Sequence, residues 1–175
     1  GIAFLMKYIK AHNVKNVLEI GSAIGYSAIL MASSSPDVKV TTIERDETNY
    51  MECLKNVKKC SFEQKVNVVF QDALEVNLAE GTTFDLIFID AAKGQYIKFF
   101  EKYKYFLAPH GTIITDNLKF HGYVGKSEKI ESKNLRQLVS KIENYIDFLK
   151  TNEEFDTQFF DVGDGLSVSV RKNEE

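Results

Sequence analysis

What this sequence lacks narrows it first. No stretch of its 175 residues approaches the uninterrupted apolar run of roughly 20 residues that a membrane helix needs. The opening GIAFLMKYIK is amphipathic and carries no cleavage-site pattern, so it does not read as a signal peptide. Cysteine is scarce. Cys53 and Cys60 lie two helical turns apart, which puts them on one face but beyond bridging distance. Buried free thiols in a reducing cytoplasm are therefore expected. The three histidines, His12, His110 and His121, are scattered and suggest no zinc cluster. Neither a G-x-S-x-G nor a Cys-His arrangement points to covalent catalysis. No repeat, low-complexity tract or interdomain linker interrupts the chain. A strong excess of one charge is missing too: 22 basic against 25 acidic side chains give −3. That argues against a general nucleic-acid coat, while leaving a local basic patch open.

What is present has the size of one domain and an ordinary soluble composition, 44% hydrophobic and 27% charged, enough to bury a core. Strand and helix patterns alternate. A short apolar run at 17–20 ends at Gly21, and a helical stretch at 26–34 stops at Ser35-Pro36. The β-branched run 38–43 ends at Glu44, and Asp46 is placed to cap a helix reaching residue 60. Strands are expected at 66–70, 84–90 and 112–115, with a helix over 95–107 closing before Pro109. A Gly-, Lys- and Ser-rich loop at 118–133 leads to a helix over 135–150. Two last strands, 155–162 and 166–171, flank Gly163-Asp164-Gly165, the signature of an antiparallel hairpin. Nearly continuous apolar strands separated by helices imply an α/β fold with a parallel sheet covered on both faces.

In such sheets ligands bind beyond the carboxyl ends of the strands. Those ends carry Glu19-Ile20-Gly21, Glu44, Gln71-Asp72, Asp90 and Asp116-Asn117. The turn after the first strand has glycines four apart, Gly21 and Gly25, and lacks the G-x-G-x-x-G spacing that holds a pyrophosphate. With Glu44 at the next strand end, where an acid accepts hydrogen bonds from ribose hydroxyls, a nucleoside-type cofactor is expected. If the fourth and fifth strands are neighbours, Asp90, Asp116 and Asn117 converge within about 5 Å. Two carboxylates and an amide oxygen form a hard donor set suited to Mg²⁺, Mn²⁺ or Ca²⁺; taken singly, each acid is equally a helix cap or turn residue. Lys93, three residues past Asp90, is either a solvated lysine at a helix start or, beside a dication, a proton acceptor.

These residues resemble the cation-dependent O-methyltransferases, the group that contains catechol and caffeoyl-CoA O-methyltransferases and their bacterial relatives. The resemblance runs through LEIGSAIGYSAI, TTIERD, FDLIFIDAAKGQY, TDN and GDGLSVSVRK, in that order. It implies a Rossmann-like class I sheet of seven strands with the last antiparallel. It implies S-adenosylmethionine bound by Glu19, Gly21, Tyr26, Ser27 and Glu44, with Gln71, Asp72 and Ala73 near the adenine and Asp90 shared with the metal. The metal ligands become Asp90, Asp116 and Asn117, the base Lys93, and the assembly a homodimer. The wording FIDAAKGQY is most similar to bacterial members that methylate 5-hydroxyuridine at the wobble position of tRNA, a base whose 5-hydroxyl and 4-carbonyl are adjacent oxygens as in a catechol. Lys119, Lys126, Lys129, Lys133 and Arg136 would then meet phosphates; otherwise they form a solvated face. Methylation of tRNA is thus the first expectation, small catechol-like phenols the second, and a non-catalytic tRNA- or partner-binding module the third. The chain opens on Gly1 rather than Met, as a trimmed or partial chain would, and about 15 residues precede the first strand. The single domain 1–175 is therefore expected to lack the family's N-terminal helical segment.

Overall fold

The computed structural model describes residues 1–90, 95–119, 124–126 and 130–172. From the first strand on, the elements alternate as the sequence predicts; a helix ahead of that strand was not among the expected elements. Helix α1 (Ile2–Ala11) is followed by β1 (Asn16–Ile20), α2 (Tyr26–Ser33), β2 (Lys39–Glu44), α3 (Glu47–Lys59) and β3 (Val66–Phe70). Then come β4 (Phe84–Asp90), α4 (Tyr96–Tyr103), β5 (Leu107–Asp116), α5 (Lys133–Lys150), β6 (Phe155–Phe160) and β7 (Leu166–Arg171). One seven-stranded sheet has the order β3-β2-β1-β4-β5-β7-β6. Strands β1 to β5 pair in parallel, and β7 runs antiparallel to both β5 and β6. The last strand is antiparallel as expected.

Side chains on successive strand positions face opposite ways, and β4 shows the consequence. Leu86 and Phe88 join a core with Leu5 and Ile9 of α1, Ala28 and Met31 of α2, and Cys53 and Val57 of α3. Ile87 and Ile89 join the opposite core with Tyr96, Phe100 and Tyr103 of α4 and Ile142, Tyr145 and Leu149 of α5. A strand covered on both faces reads as unbroken FDLIFI, which is why no alternation marks it. Local chemistry sets the helix ends: Asp46 Oδ1 accepts from the Asn49 amide at 2.8 Å, and Ser132 Oγ from the Leu135 amide at 3.3 Å, satisfying amides that have no intrahelical partner.

Two expectations are corrected. The fourth helix stops at Tyr103 and a single 3-10 turn, Lys104–Phe106, delivers the chain into β5 at Leu107 rather than 112. The pairing jumps from Phe84↔Leu107 to Leu86↔Thr112. Ala108, Pro109, His110 and Gly111 form a bulge in which His110 adopts φ 61° and Pro109 has no amide to donate. The entry to the bulge is held from the neighbouring strand β7: the Arg171 guanidinium donates to the carbonyls of Lys104, Leu107 and Ala108 at 3.0, 2.9 and 3.2 Å. The two cysteines also differ. Cys53 is buried and Cys60 exposed; Cys60 is the C-terminal cap of α3. Among the described residues, no helix is long and apolar enough to cross a membrane.

Replacing Arg171 by Met leaves the carbonyls of Lys104, Leu107 and Ala108 without their charged donor, so the variant is expected to lose about 2 kcal/mol of stability. Lys172→Met, at an ion pair stretched to 4.0 Å at the surface, is expected to change stability by less than about 0.5 kcal/mol. Urea denaturation of the two variants in parallel checks the contrast.

Candidate active site

The turn after β1 is built by backbone geometry. Gly21 and Gly25 adopt φ 88° and 96°, and Ala23 φ 47°, a left-handed region that costs side chains strain and glycine little. A Cβ on Gly25 would lie 2.8 Å from Cys53 Sγ, so the second glycine also lets α2 start close against α3. Beneath the turn Glu19 is 1% exposed. Its carboxylate accepts from Thr42 Oγ1 at 2.6 Å and from Ser27 Oγ, tying β1 to β2 and to the first turn of α2. Burial, with Glu19 and Glu44 nearby, pushes the Cys53 thiol up from its ordinary value against a lowering hydrogen bond from Ser22.

Glu44, also buried, is held by main chain. Its carboxylate accepts from the Ala23 amide at 2.7 Å and the Asp46 amide at 3.0 Å. It borders a pocket lined by Ile20, Gly21, Glu44, Gln71, Asp72 and Ala73, closed on one side by Gln95 and Phe99. Five residues that the sequence singles out for the cofactor therefore meet at one cavity. Ser27 is drawn to Glu19 beneath it. Tyr26 is 64% exposed on the outer side of α2 and does not line this cavity. The sequence reading passed over Arg45, Gln95 and Phe99. Arg45 follows Glu44 directly, which was an available signal. Phe99 resembles any core aromatic of α4, and nothing in the pattern distinguishes it.

The second cluster forms where β4 meets β5. Asp90 and Asp116 are direct partners in the parallel register, as the neighbouring-strand expectation requires. Asn117 turns into the left-handed region at φ 62°, which asparagine tolerates. Its amide hydrogen bonds Asp116 Oδ1 at 2.8 Å, and its side-chain Nδ2 donates to Asp90 Oδ1 at 2.7 Å. All three side chains are half-buried. Burial raises the Asp116 carboxyl above its ordinary value; the Asn117 amide and the chain's amino terminus oppose this, and the charges of Asp90 and Asp164 add to it.

This donor set matches a hard divalent cation. A half-turn of the Asn117 amide exchanges nitrogen for oxygen without moving other atoms. Three oxygens would then face one point, and a positive charge there would offset the burial of two carboxylates. Among the described residues no three His, Cys, Asp or Glu side chains gather into a metal-binding group, so a cation here depends on the Asn117 oxygen. Lys93 lies outside the described residues. Of the basic stretch, Lys119 pairs with Asp161, Lys126, Lys133 and Arg136 are exposed, and Lys129 also lies outside the described residues.

The sequence profile of the O-methyltransferase family matches residues 2–172. A Staphylococcus aureus protein whose crystal structure carries the provisional description caffeoyl-CoA O-methyltransferase is 41% identical. The match covers 97% of this chain and 82% of that one, with a TM-score of 0.92. An O-methyltransferase from Bacillus cereus, crystallised in complex with SAH, is 25% identical over 98% of this chain and 80% of its own, with a TM-score of 0.83. The caffeoyl-CoA O-methyltransferase of Stellaria longipes is 28% identical over 97% of this chain and 72% of that protein.

The turn itself is testable. Gly25→Ala is expected to destabilise by about 2 kcal/mol through strain at positive φ and overlap with Cys53. Adding Cys53→Ala removes the overlap but not the strain, so the double variant should lose less stability than the two single losses combined. Thermal unfolding of the three variants checks this.

Proposed function

The chain belongs to the O-methyltransferase family, and from that premise we propose that it transfers the methyl group of S-adenosylmethionine to a hydroxyl that has a second oxygen beside it, on a small catechol-like phenol. The observation that carries this reading is the pairing of a pocket bordered by Glu44 with the Asp90–Asp116–Asn117 cluster two strands away. The family profile, and relatives whose names specify caffeoyl-CoA as substrate, support the phenolic reading over tRNA. So does the engagement of Lys119 by Asp161, which subtracts one cation from the basic stretch.

Within this reading Glu44 accepts hydrogen bonds from the ribose hydroxyls, Gly21 allows close approach of the backbone, and Gln71, Asp72 and Ala73 wall the purine. Glu19 and Ser27 hold the turn, with Tyr26 at its outer rim. S-adenosylmethionine supplies an electrophilic methyl on a sulfonium. Asp90, Asp116 and Asn117 would hold Mg²⁺ or a similar cation, which supplies Lewis acidity that lowers the pKa of a substrate hydroxyl. Lys93, three residues beyond Asp90, accepts the proton at Nζ. The remaining contribution of these residues is orientation: two adjacent substrate oxygens can be held at one point in only a few ways, which aligns the attacking oxygen with the methyl group. Residues 1–175 act as one methyltransferase domain.

Asp116→Asn is expected to lower methylation of a catechol by at least about a hundredfold, equivalent to about 3 kcal/mol of transition-state stabilisation. S-adenosylhomocysteine should bind it within about threefold of wild type. Transfer of labelled methyl to a catechol panel and to bulk tRNA, with and without EDTA, is the measurement. Undiminished transfer in excess EDTA would remove the metal from the mechanism, and label in tRNA but in no phenol would reassign the substrate.

A further inference from the structure

The pocket wall formed by residues 71–76 has no strand or helix of its own to hold it. After β3 the chain is steered by short-range bonds: the Gln71 amide to Glu44 O at 3.0 Å, and the Leu74 amide to Asp72 Oδ1 and the Glu75 amide to Asp72 O, both at 2.9 Å. These satisfy amides. The carbonyls of Ala73 and Val76 point the other way, toward α4, and both residues are buried. A buried carbonyl without a donor costs about as much as a lost hydrogen bond.

Helix α4 supplies the donors. Lys102 Nζ lies 2.8 Å from Ala73 O and 2.7 Å from Val76 O, bridging the two ends of the loop with one ammonium. The Tyr103 hydroxyl donates to the same Ala73 oxygen, from a ring that is wholly buried. Phe99, Lys102 and Tyr103 stand at i, i+3 and i+4, on one face of the helix; the first lines the pocket and the other two hold the wall opposite. Lys102 is half-buried, and burial pushes its ammonium down from the ordinary value while Asp72 and Glu75 pull it back. A lysine serving only solubility would not be drawn inward to cap two main-chain oxygens.

We propose that Lys102 and Tyr103 are positioning residues of the nucleoside pocket, clamping Ala73 and Val76 so that the wall at 71–76 is preformed for the adenosine half of the cofactor. The proposal rests on the reading that this pocket takes that half. It assigns to the pair an effect on cofactor affinity and places them apart from the methyl acceptor: they act through the loop and touch neither reactant.

Calorimetry with S-adenosylhomocysteine and with 5′-methylthioadenosine, which lacks the amino-acid end, tests it on wild type, Lys102→Met, Lys102→Arg and Tyr103→Phe. Lys102→Met is expected to weaken both probes by about tenfold, Lys102→Arg to stay within about threefold of wild type, and the loss in turnover assays to fall on the cofactor KM rather than on kcat. Tyr103→Phe, which keeps the ring and removes one donor, should weaken both probes by a smaller factor, and it decides the matter if Lys102→Met does not fold. Affinity for both probes unchanged in Lys102→Met or, should that variant not fold, in Tyr103→Phe overturns the proposal even where melting temperature falls, since that is the mark of a purely structural role. Weakening of S-adenosylhomocysteine alone also overturns it, because the effect would then lie at the amino-acid end. Wild-type protein that binds neither probe overturns instead the reading on which the proposal rests.

Discussion

Register in a parallel sheet decides which residues meet where neighbouring strands end. In this sheet the constraint levels the carboxyl ends of β1, β2, β4 and β5 along one edge. Ile20 lies beside Ile43 and Ile89, and Asp90 beside Asp116. The last residues of β2, β4 and β5 sit at the rim of the ladder, Glu44 beside Phe70 and Asp90 beside Asp116. Glu44, Asp90 and Asp116 occupy those positions because the edge is the one place on a doubly covered sheet where a carboxylate can be both fixed by main chain and open to a ligand. Shifting β5 by one residue against β4 would separate Asp90 from Asp116 and turn Asp116 to the opposite face. The bulge at 107–112, held by Arg171, is therefore part of the site even though it lies at the other end of β5.

The four acids near this edge are treated differently by their surroundings, and the differences sort their roles. Glu19 is closed off: Ser27 and Thr42 approach its two oxygens, and it is almost wholly buried, so its work is to hold β1, β2 and α2 in register. Glu44 is fixed by two main-chain amides yet borders the pocket. Asp90 and Asp116 share the Asn117 side chain and amide, a neutral group between two charges. Burial raises the Asp116 carboxyl, and the charge of Asp90 adds to it.

Much of this was legible in the sequence, and what was missed shares a cause. The strand ends, the sheet's handed alternation with helices and the hairpin at Gly163-Asp164-Gly165 follow from periodicity and turn chemistry, which are local. The meeting of Asp90 with Asp116-Asn117 needed one non-local assumption, that β4 and β5 are neighbours, and the sheet order supplies it. The start of β5 was misread because Pro109 and Gly111 look like a helix stop; whether residues 107–111 form a loop or a bulged strand is decided by Arg171, 60 residues later. Cys53 and Cys60 share a helix face, which predicts one environment for both, but Cys60 is the cap at which the helix ends and is exposed. Tyr26, the first residue of α2, is exposed where its neighbour Ser27 bonds Glu19, since adjacent positions on a helix lie about 100° apart. Lys102 and Tyr103 gave no signal at all: their partners are main-chain carbonyls, and a carbonyl has no identity in a sequence.

The spatial order of the strands also constrains the cofactor more tightly than the pocket does by itself. The nucleoside pocket lies over the ends of β1, β2 and β3, and the acid pair over β4 and β5, with β1 and β4 adjacent at the centre of the sheet. At about 4.8 Å per strand, the end of β2 and the end of β4 are roughly 10 Å apart. A cofactor anchored through its ribose at Glu44 must therefore carry its reactive centre on an arm extending from the sugar, along the edge, toward Asp90. A nucleoside with a substituted 5′ carbon meets that demand, whereas a base or sugar reacting at its own ring atoms would sit too far from the acids to benefit from them. Helix α4 follows the strand that presents Asp90, and on one of its faces Phe99 lines the pocket while Lys102 and Tyr103 hold the Ala73 carbonyl.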